Sequence, residues 1–387
     1  VCDIQQGGGG FATWLTCKTG CYKYDSNPVI FHQYGTAKFN IKSSDLFKDI
    51  DIECVTTRKE QYHTNSRNPQ TSFGTIEEDA QRRDLTINAL YLNISTGEII
   101  DMNGKGFDDI ENHIIRTPSD PNIIFKEDPL RQLRVIRFAT RFNWGIESKT
   151  WLGIVCNAYR MNIISQERIT DEFNKILLCP NPSNGIRALY NSGLLGCSLP
   201  EVKDLVGCTQ GKEHFGDVFE HTMMVLDNTK PILEHRLAAL FHDIGKIVVS
   251  DRILKKPDRL TTEEFEEIKC HTTEGKRIVL EILGNTEEPD YVNMAQDIVF
   301  SHHEKWNGQG YPQGLKGDEI PLSARIMAIA DVFDAVSAKR CYRDAMPLDT
   351  CFKIIEEGRG QDFDPDLVDL FLEAKDEVIE MHRLTSD

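Results

Sequence analysis

Hydrophobic positions along the 387-residue chain change their period about a third of the way through. Up to about residue 120, short apolar runs alternate with turn-forming residues. PVIFHQ, TAKFNIK, DIDIECV, INALYLNI and EIIDMNGKG each have the length and the neighbours of a β-strand. From Pro129 onward the apolar positions recur every three or four residues. This predicts helices over 129–142, 149–160, 170–178, 217–229, 233–245, 262–283, 290–303, 322–338, 348–357 and 365–382. The expected fold class is therefore α+β, a small mixed head followed by an all-α body. PNPSNG at 180–185 and the polar stretch around VGCTQGKEHFG read as the best internal boundaries. The expected domains are a head at 1–120, a helical neck at 121–212 and a second helical domain at 213–387.

Composition narrows the class without naming a function. Hydrophobic residues make up 40% and charged residues 27%, as in ordinary globular proteins. A formal charge of -17 argues against a protein that coats nucleic acid non-specifically, although it leaves room for a local basic face. No apolar run reaches the ~20 residues of a membrane-crossing helix, and VCDIQQGGGG lacks the basic and apolar parts of a signal peptide. A cytoplasmic protein with no membrane partner is expected. The 11 cysteines, scattered without metal-finger spacing, suit reduced thiols. A start at Val1 rather than Met reads as a fragment or a trimmed chain, and nothing in the sequence fixes the oligomeric state.

Chemistry is concentrated in the second half. His242 and Asp243 lie in HDIGK, His271 in KCHT, His302 and His303 in HHEKWNGQGYP, and Asp331 in IADVFDA. Imidazole and carboxylate together suit borderline divalent metals, and such groups on separate helices can converge in a bundle core. A helix ending in AALFHDIGK delivers His242 and Asp243 together while Leu237, Leu240 and Phe241 anchor it. His302 and His303 differ by about 100° around a helix, so both reach one edge. His221, in FEHT, stands one predicted helix earlier. Each histidine alone is an ordinary packed or solvated residue. The set argues for a hydrolytic metal site, because paired ions turn water into a nucleophile at neutral pH.

From HDIGKIVVSDRILKK through HHEKWNGQGYPQGLKGDEIPLSARIMAIADVFDAVSAKRCYR to GQDFDPDLVDLF, roughly 242–371, the chain resembles the HD-GYP family of metal-dependent phosphodiesterases. The resemblance implies cleavage of cyclic di-GMP at two or three iron- or manganese-type divalent ions. It implies His221, His242, Asp243, His271, His302, His303 and Asp331 as ligands, Asp243 also being catalytic. Lys246 would contact the scissile phosphate, and the leaving 3'-oxygen would take its proton from Lys246 or water. Gly310, Tyr311 and Pro312 form the substrate-binding GYP element, and Arg340 and Arg343 would hold phosphate oxygens. Asn307 stands where the family often has Asp. Asp217, one turn before His221, is either a carboxylate for a third ion or a charge at a helix N-terminus.

The first half uses a different vocabulary. FGTIEEDAQRRDLTINALYL, GEIIDMNGKGFDDIENHIIRTP, FKEDPLRQLRVIRFATRF and ISQERITDEFNKILL resemble class II CCA-adding tRNA nucleotidyltransferases and their poly(A) polymerase relatives, over roughly 1–245. That resemblance implies a palm-like head, Mg2+, CTP and ATP as nucleotides, and a tRNA 3' end as partner. The family's Glu-Asp-x-x-Arg element, which reads the incoming nucleotide, falls on Glu78, Asp79 and Arg82, with Arg83 and Asp84 following. A carboxylate and a guanidinium at helical spacing can imitate a base edge. Arg131, Arg134, Arg137 and Arg141 form a basic stripe, which either meets triphosphate or acceptor stem or is a solvated face. The family's Gly-Gly-x-Val-Arg-Asp loop is missing, so the head reads as truncated. VCDI aligned with the Asp-x-Asp strand leaves Asp3 as second acid and Val1 where the first should stand, while Glu53 matches the third, with Asp51 accessory. Nucleotidyl transfer is expected to be impaired. The expected function is an HD-GYP-type phosphodiesterase fused to a region of tRNA 3'-end processing ancestry. The alternatives are a CCA-adding enzyme whose HD domain acts on 2',3'-cyclic phosphate RNA ends, and an RNA-binding module without chemistry.

Overall fold

The computed structural model describes residues 29–31, 36–41, 50–61, 70–209, 217–256, 260–284, 289–337 and 346–385. The chain divides into two compact units, Val1–Val135 with Gly145–Asn157, and Ile136–Trp144 with Ala158–Asp387. The first mixes strands and short helices, the second is helical, and the fold class is α+β.

In the first unit β1 (Val29–Phe31), β2 (Thr36–Ile41) and β3 (Ile50–Val55) form an antiparallel sheet in which Lys38 faces Glu53 and Asn40 faces Asp51. A hairpin of β4 (Arg58–Gln61) and β5 (Gln70–Phe73) follows. Its segments, RKEQ and QTSF, are too polar to show alternation, so the hydrophobic pattern missed them. Thr75 and Glu78 close a capping box that starts α1 (Ile76–Gln81). The paired strands β6 (Leu90–Leu92) and β7 (Ile99–Asp101) lie within two longer predicted runs, β7 at the start of its run. Two unpredicted helices come next. α2 (Gly106–Glu111) precedes β8 (Ile114–Ile115), and α3 (Pro121–Glu127) starts with Pro at its first position under an Asp120 cap. The boundary between the units falls inside α4 (Arg131–Phe142), after Val135. β9 (Gly145–Ile146) pairs in parallel with β8, and α5 (Ser148–Asn157) packs on α3 around the fully buried Phe125 and Ile154.

The helical unit continues with α6 (Gln166–Leu177), α7 (Pro182–Ser192), α8 (Leu195–Ser198), α9 (Pro200–Lys203), α10 (Val218–Asn228) and α11 (Leu233–Phe241). PNPSNG is a tight turn between two helices, with Pro182 in the first turn of α7 and the Ser183 amide donating to Asp227 at 3.0 Å. Buried Arg236 of α11 donates to the carbonyls of Leu177, Cys179 and Thr229, so α6 and the loop before α11 are tied together. Beyond come α12 (Asp251–Leu254), α13 (Thr262–Leu283), α14 (Pro289–Ser301), α15 (Leu322–Ser337), α16 (Leu348–Glu357), α17 (Pro365–Glu373) and α18 (Lys375–Thr385). The last two divide the predicted 365–382 helix at Ala374. Phe333, Phe352, Ile355, Phe363 and Val368 form the core of the α15–α17 end. Among the described residues no helix is long and apolar enough to cross a membrane.

The predicted 233–245 helix ends early, and the reason positions the site. After Phe241 the chain tightens into a 3-10 turn at Ile244–Val248. A Cβ on Gly245 would lie 1.8 Å from the His271 carbonyl oxygen, and one on Gly275 would lie 2.5 Å from Val299 Cγ1. These two glycines let the turn and α13 meet at backbone distance, which sets His271 beside His242 and Asp243.

Candidate metal centre

Five elements converge on one buried cluster. α10 brings His221, the end of α11 brings His242 and Asp243, α13 brings His271, the end of α14 brings His302 and His303, and α15 brings Asp331. Ligand atoms fall into two groups, each within 4.8 Å: His221 with His242 and Asp331, and His271 with His302 and His303. His221 Nε2 lies 3.2 Å from His242 Nε2, 3.6 Å from Asp331 Oδ1 and 3.9 Å from Asp243 Oδ2. Asp243 Oδ2 is also 3.3 Å from His242 Nε2 and accepts from Lys246 Nζ at 2.7 Å, so it links the first group to the lysine. The rings of His242 and His302 link the two groups, with centroids 6.1 Å apart. An open cleft of ≈ 180 Å³ reaches His302, His303 and Asp331 from the side of Ile354 and Phe363.

A residue that sequence reasoning passed over organises the adjoining loop. Buried Glu304 accepts from the amides of Gln313 at 2.7 Å, Gly314 at 3.1 Å and Leu315 at 3.1 Å. Its position directly after the histidine pair was the available signal. The loop it ties down carries Gly310, where a Cβ would lie 2.3 Å from the Lys305 amide nitrogen, and Tyr311, whose ring sits 4.8 Å from that of His303; Pro312 follows. Asn307 Oδ1 accepts from the Gln309 amide at 2.9 Å within the same loop.

Other expected residues serve elsewhere. Asp217 joins neither metal group: Oδ1 accepts from the Glu220 amide at 2.8 Å and Oδ2 from the Gly207 amide at 2.7 Å, so it caps α10. In the head, Glu78 closes the α1 capping box, while buried Asp79 accepts from Arg82, Arg83 (2.8 Å) and Tyr91 (2.8 Å). Asp84 takes Arg134 at 2.7 Å, Arg131 pairs with Glu127 at 3.1 Å, and Arg137 pairs with Glu172 at 2.7 Å. The arginine stripe is therefore neither a free phosphate comb nor a solvated face along those three positions, because each guanidinium is held by an acid. Glu53 is exposed on β3, two residues from Asp51. Asp3, Arg340 and Arg343 lie outside the described residues.

With this geometry in view, three family models match. Residues 209–367 match the HD domain, residues 25–116 the poly A polymerase head domain, and residues 144–205 the probable RNA and SrmB-binding site of polymerase A. An HD-domain match thus follows two matches of poly A polymerase type along the chain. A cyclic di-GMP phosphodiesterase of Thermotoga maritima is 44% identical over 156 residues, 40% of this chain and 41% of the relative. The mitochondrial CCA tRNA nucleotidyltransferase of Candida glabrata is 41% identical over 176 residues, 45% of this chain and 32% of the relative. The chain thus spans less than half the length of either. A solved tRNA-processing enzyme complex shares the fold at a TM-score of 0.51 and 18% identity, over 96% of this chain and 90% of that one.

The HD domain implies divalent metal, and the side chains present fit it. His242, His271 and His302 each donate Nδ1–H to a main-chain carbonyl, of Ala239 at 2.8 Å, Ile268 at 2.7 Å and Ile298 at 2.9 Å. This fixes the neutral tautomer whose Nε2 bears the lone pair. Nε2 of His271 and of His302 are buried without a hydrogen-bond partner. Orphaned buried acceptors cost about 1–3 kcal/mol each, a cost a cation removes. Burial also pushes the His271 pKa down to about 4, with the neighbouring His302 adding to it. His302 and His303 are likewise lowered, by burial first and then by nearby imidazoles and acids in opposition. For Asp243, burial raises the pKa, but Lys246, His242 and His221 outweigh it and hold it well below the usual range. Asp331 is held low in the same way, chiefly by His221 against burial. Neutral imidazoles and ionised carboxylates are the forms that bind metal.

Proposed function

We propose that the HD domain is a metal-dependent phosphodiesterase of HD-GYP type acting on a cyclic dinucleotide, with cyclic di-GMP first among candidates. The observation that carries this reading is the pair of orphaned imidazole nitrogens, His271 Nε2 and His302 Nε2, inside a convergent set of neutral histidines and low-pKa aspartates. Support also comes from the name of the Thermotoga maritima relative. Two iron- or manganese-type ions are assigned, one to His221, His242 and Asp331 and one to His271, His302 and His303, with Asp243 between them. Such ions supply Lewis acidity and an activated water when bound. The chain's own contribution is positional. Asp243 fixes the Lys246 ammonium at the cluster, where it can stabilise a phosphate or give a proton to a departing oxygen. Glu304 holds the loop that brings Gly310, Tyr311 and Pro312 beside His303, and Arg340 and Arg343 are assigned to the ligand's phosphates.

We assign residues 1–120 and 121–212 to a nucleotidyltransferase-like head and an RNA-gripping neck, in a cytoplasmic protein. The head and neck matches, together with the Candida glabrata relative, favour a second reading: a tRNA 3' end, with CTP or ATP and Mg2+, as partner of the head. Under that reading the HD domain would act on 2',3'-cyclic phosphate RNA ends. A hydrolysis screen with Mn2+ or Fe2+ separates the two: cleavage of cyclic di-GMP and not of 2',3'-cyclic AMP is expected, and the opposite preference would overturn the first reading.

A further inference from the structure

On α13, Phe265 and Lys269 stand one turn apart, ahead of His271. Phe265 is 44% exposed and stands at the edge of the buried polar cluster. Its ring lies 6.1 Å from Tyr311 in an edge-to-face arrangement, and Tyr311 lies 4.8 Å from His303 and 6.3 Å from His271. The Lys269 ammonium is 4.9 Å from the Phe265 ring and 5.5 Å from the Tyr311 ring, and donates to Glu266 at 2.7 Å. A line of aromatic rings therefore runs outward from the second metal group to a solvent-facing phenyl ring.

We propose that Phe265, with Tyr311 and Lys269, is a stacking platform for a nucleobase of the substrate, a binding subsite next to the phosphate-cleaving centre. The inference rests on the phosphodiesterase reading of that centre. A phosphodiester at the His271, His302 and His303 group carries its nucleoside about one ribose away, the reach of Tyr311 and Phe265. An open π-face accepts any base, and base–aromatic stacking is worth about 1–3 kcal/mol. Lys269 stiffens the platform through both rings. It also sets an N–H donor at its rim, since an ammonium has three and Glu266 takes one. Purine ring acceptors suit such a donor.

The test compares two ligands that share a phosphate and differ in the base, guanosine 5'-monophosphate and methyl phosphate, bound to the full-length Mn2+-loaded chain and followed by calorimetry. The wild type is expected to bind the nucleotide more tightly. Phe265→Ala should cut that preference roughly tenfold, leaving methyl phosphate affinity and Mn2+ content unchanged, and Phe265→Trp should keep the preference. Because the ring is half exposed, both variants are expected to melt within a few degrees of wild type. Full preference retained by Phe265→Ala overturns the platform while leaving the metal site standing. Absence of methyl phosphate binding to the Mn2+-loaded wild type overturns the phosphodiesterase reading, and the platform with it.

Discussion

The two halves of the chain each gather charged side chains in a buried place, yet they balance them differently. Asp79 in the head is saturated from within: Arg82, Arg83, Tyr91 and the Arg58 amide all point at its two oxygens. The HD cluster instead leaves Nε2 of His271 and of His302 buried and unpaired, while the Nδ1 side of each ring is fixed by a carbonyl. A network that satisfies itself builds structure, whereas one that is fixed on one side and unpaired on the other is arranged for something added later.

The comparison breaks most sharply at the contact that assembles the HD cluster. Gly245→Ala is expected to destabilise the helical unit by more than about 3 kcal/mol and to abolish Mn2+ uptake, because the new methyl group meets the His271 carbonyl. Thermal melting and metal analysis check both. In the head, Asp79→Asn should cost about 2 kcal/mol of stability by removing the charge and one of the two acceptor oxygens that hold two arginines, one of them partly solvated, without altering metal content. Metal loss in that variant would show that the two networks are not separate.

Acidity distinguishes the halves more gently. Burial holds His271 down to about 4 in the folded protein, whereas in the unfolded chain it takes a proton near 6.5, and His302 and His303 are lowered in the same direction. Between the His271 values the unfolded state binds more protons, so metal-free protein should lose stability as pH falls from about 6.5 to about 4, by about 1.4 kcal/mol per pH unit from His271. Asp243 and Asp331 act in the same direction in a lower window: their stabilising effect is present above about 3.9 and fades as pH drops toward their own low pKa values. Denaturant titrations of the metal-free chain at pH 7, 5.5 and 4.5 measure the slope. Added Mn2+ should raise stability without flattening that slope, because bound metal also keeps protons off the folded-state imidazoles. The smallest effect belongs to Asp217→Asn, which keeps a cap acceptor and should cost only tenths of a kcal/mol with metal stoichiometry unchanged. A loss of one ion per chain would restore Asp217 as a ligand.

Much of this was legible beforehand where a short word fixes both identity and spacing. HDIGK and HHEKWNGQGYP located four of the cluster's seven side chains, and the helical period found α10, α13, α15 and α16 within a residue or so. What escaped was tertiary. The polar β4–β5 hairpin is held by pairing rather than by alternation, and α2, α3 and α7 are short or begin at proline, a residue that reads as a breaker. Gly245 and Gly275 are 30 residues apart, and only their contact explains why the helix before HDIGK stops. Asp217 and Glu78 occupy cap positions, where an acid needs no ligand to justify it. The partners of the arginine stripe, Asp84 and Glu172, lie 50 and 35 residues from the guanidinium groups they hold.

The most direct test of the central claim is metal content of the purified chain, wild type against the double variant His242→Ala, Asp243→Ala, with melting followed in parallel. The account predicts two Mn2+ or Fe2+ ions per wild-type chain, a melting temperature that rises on loading, and loss of both in the double variant. Full metal content in a folded double variant would contradict it.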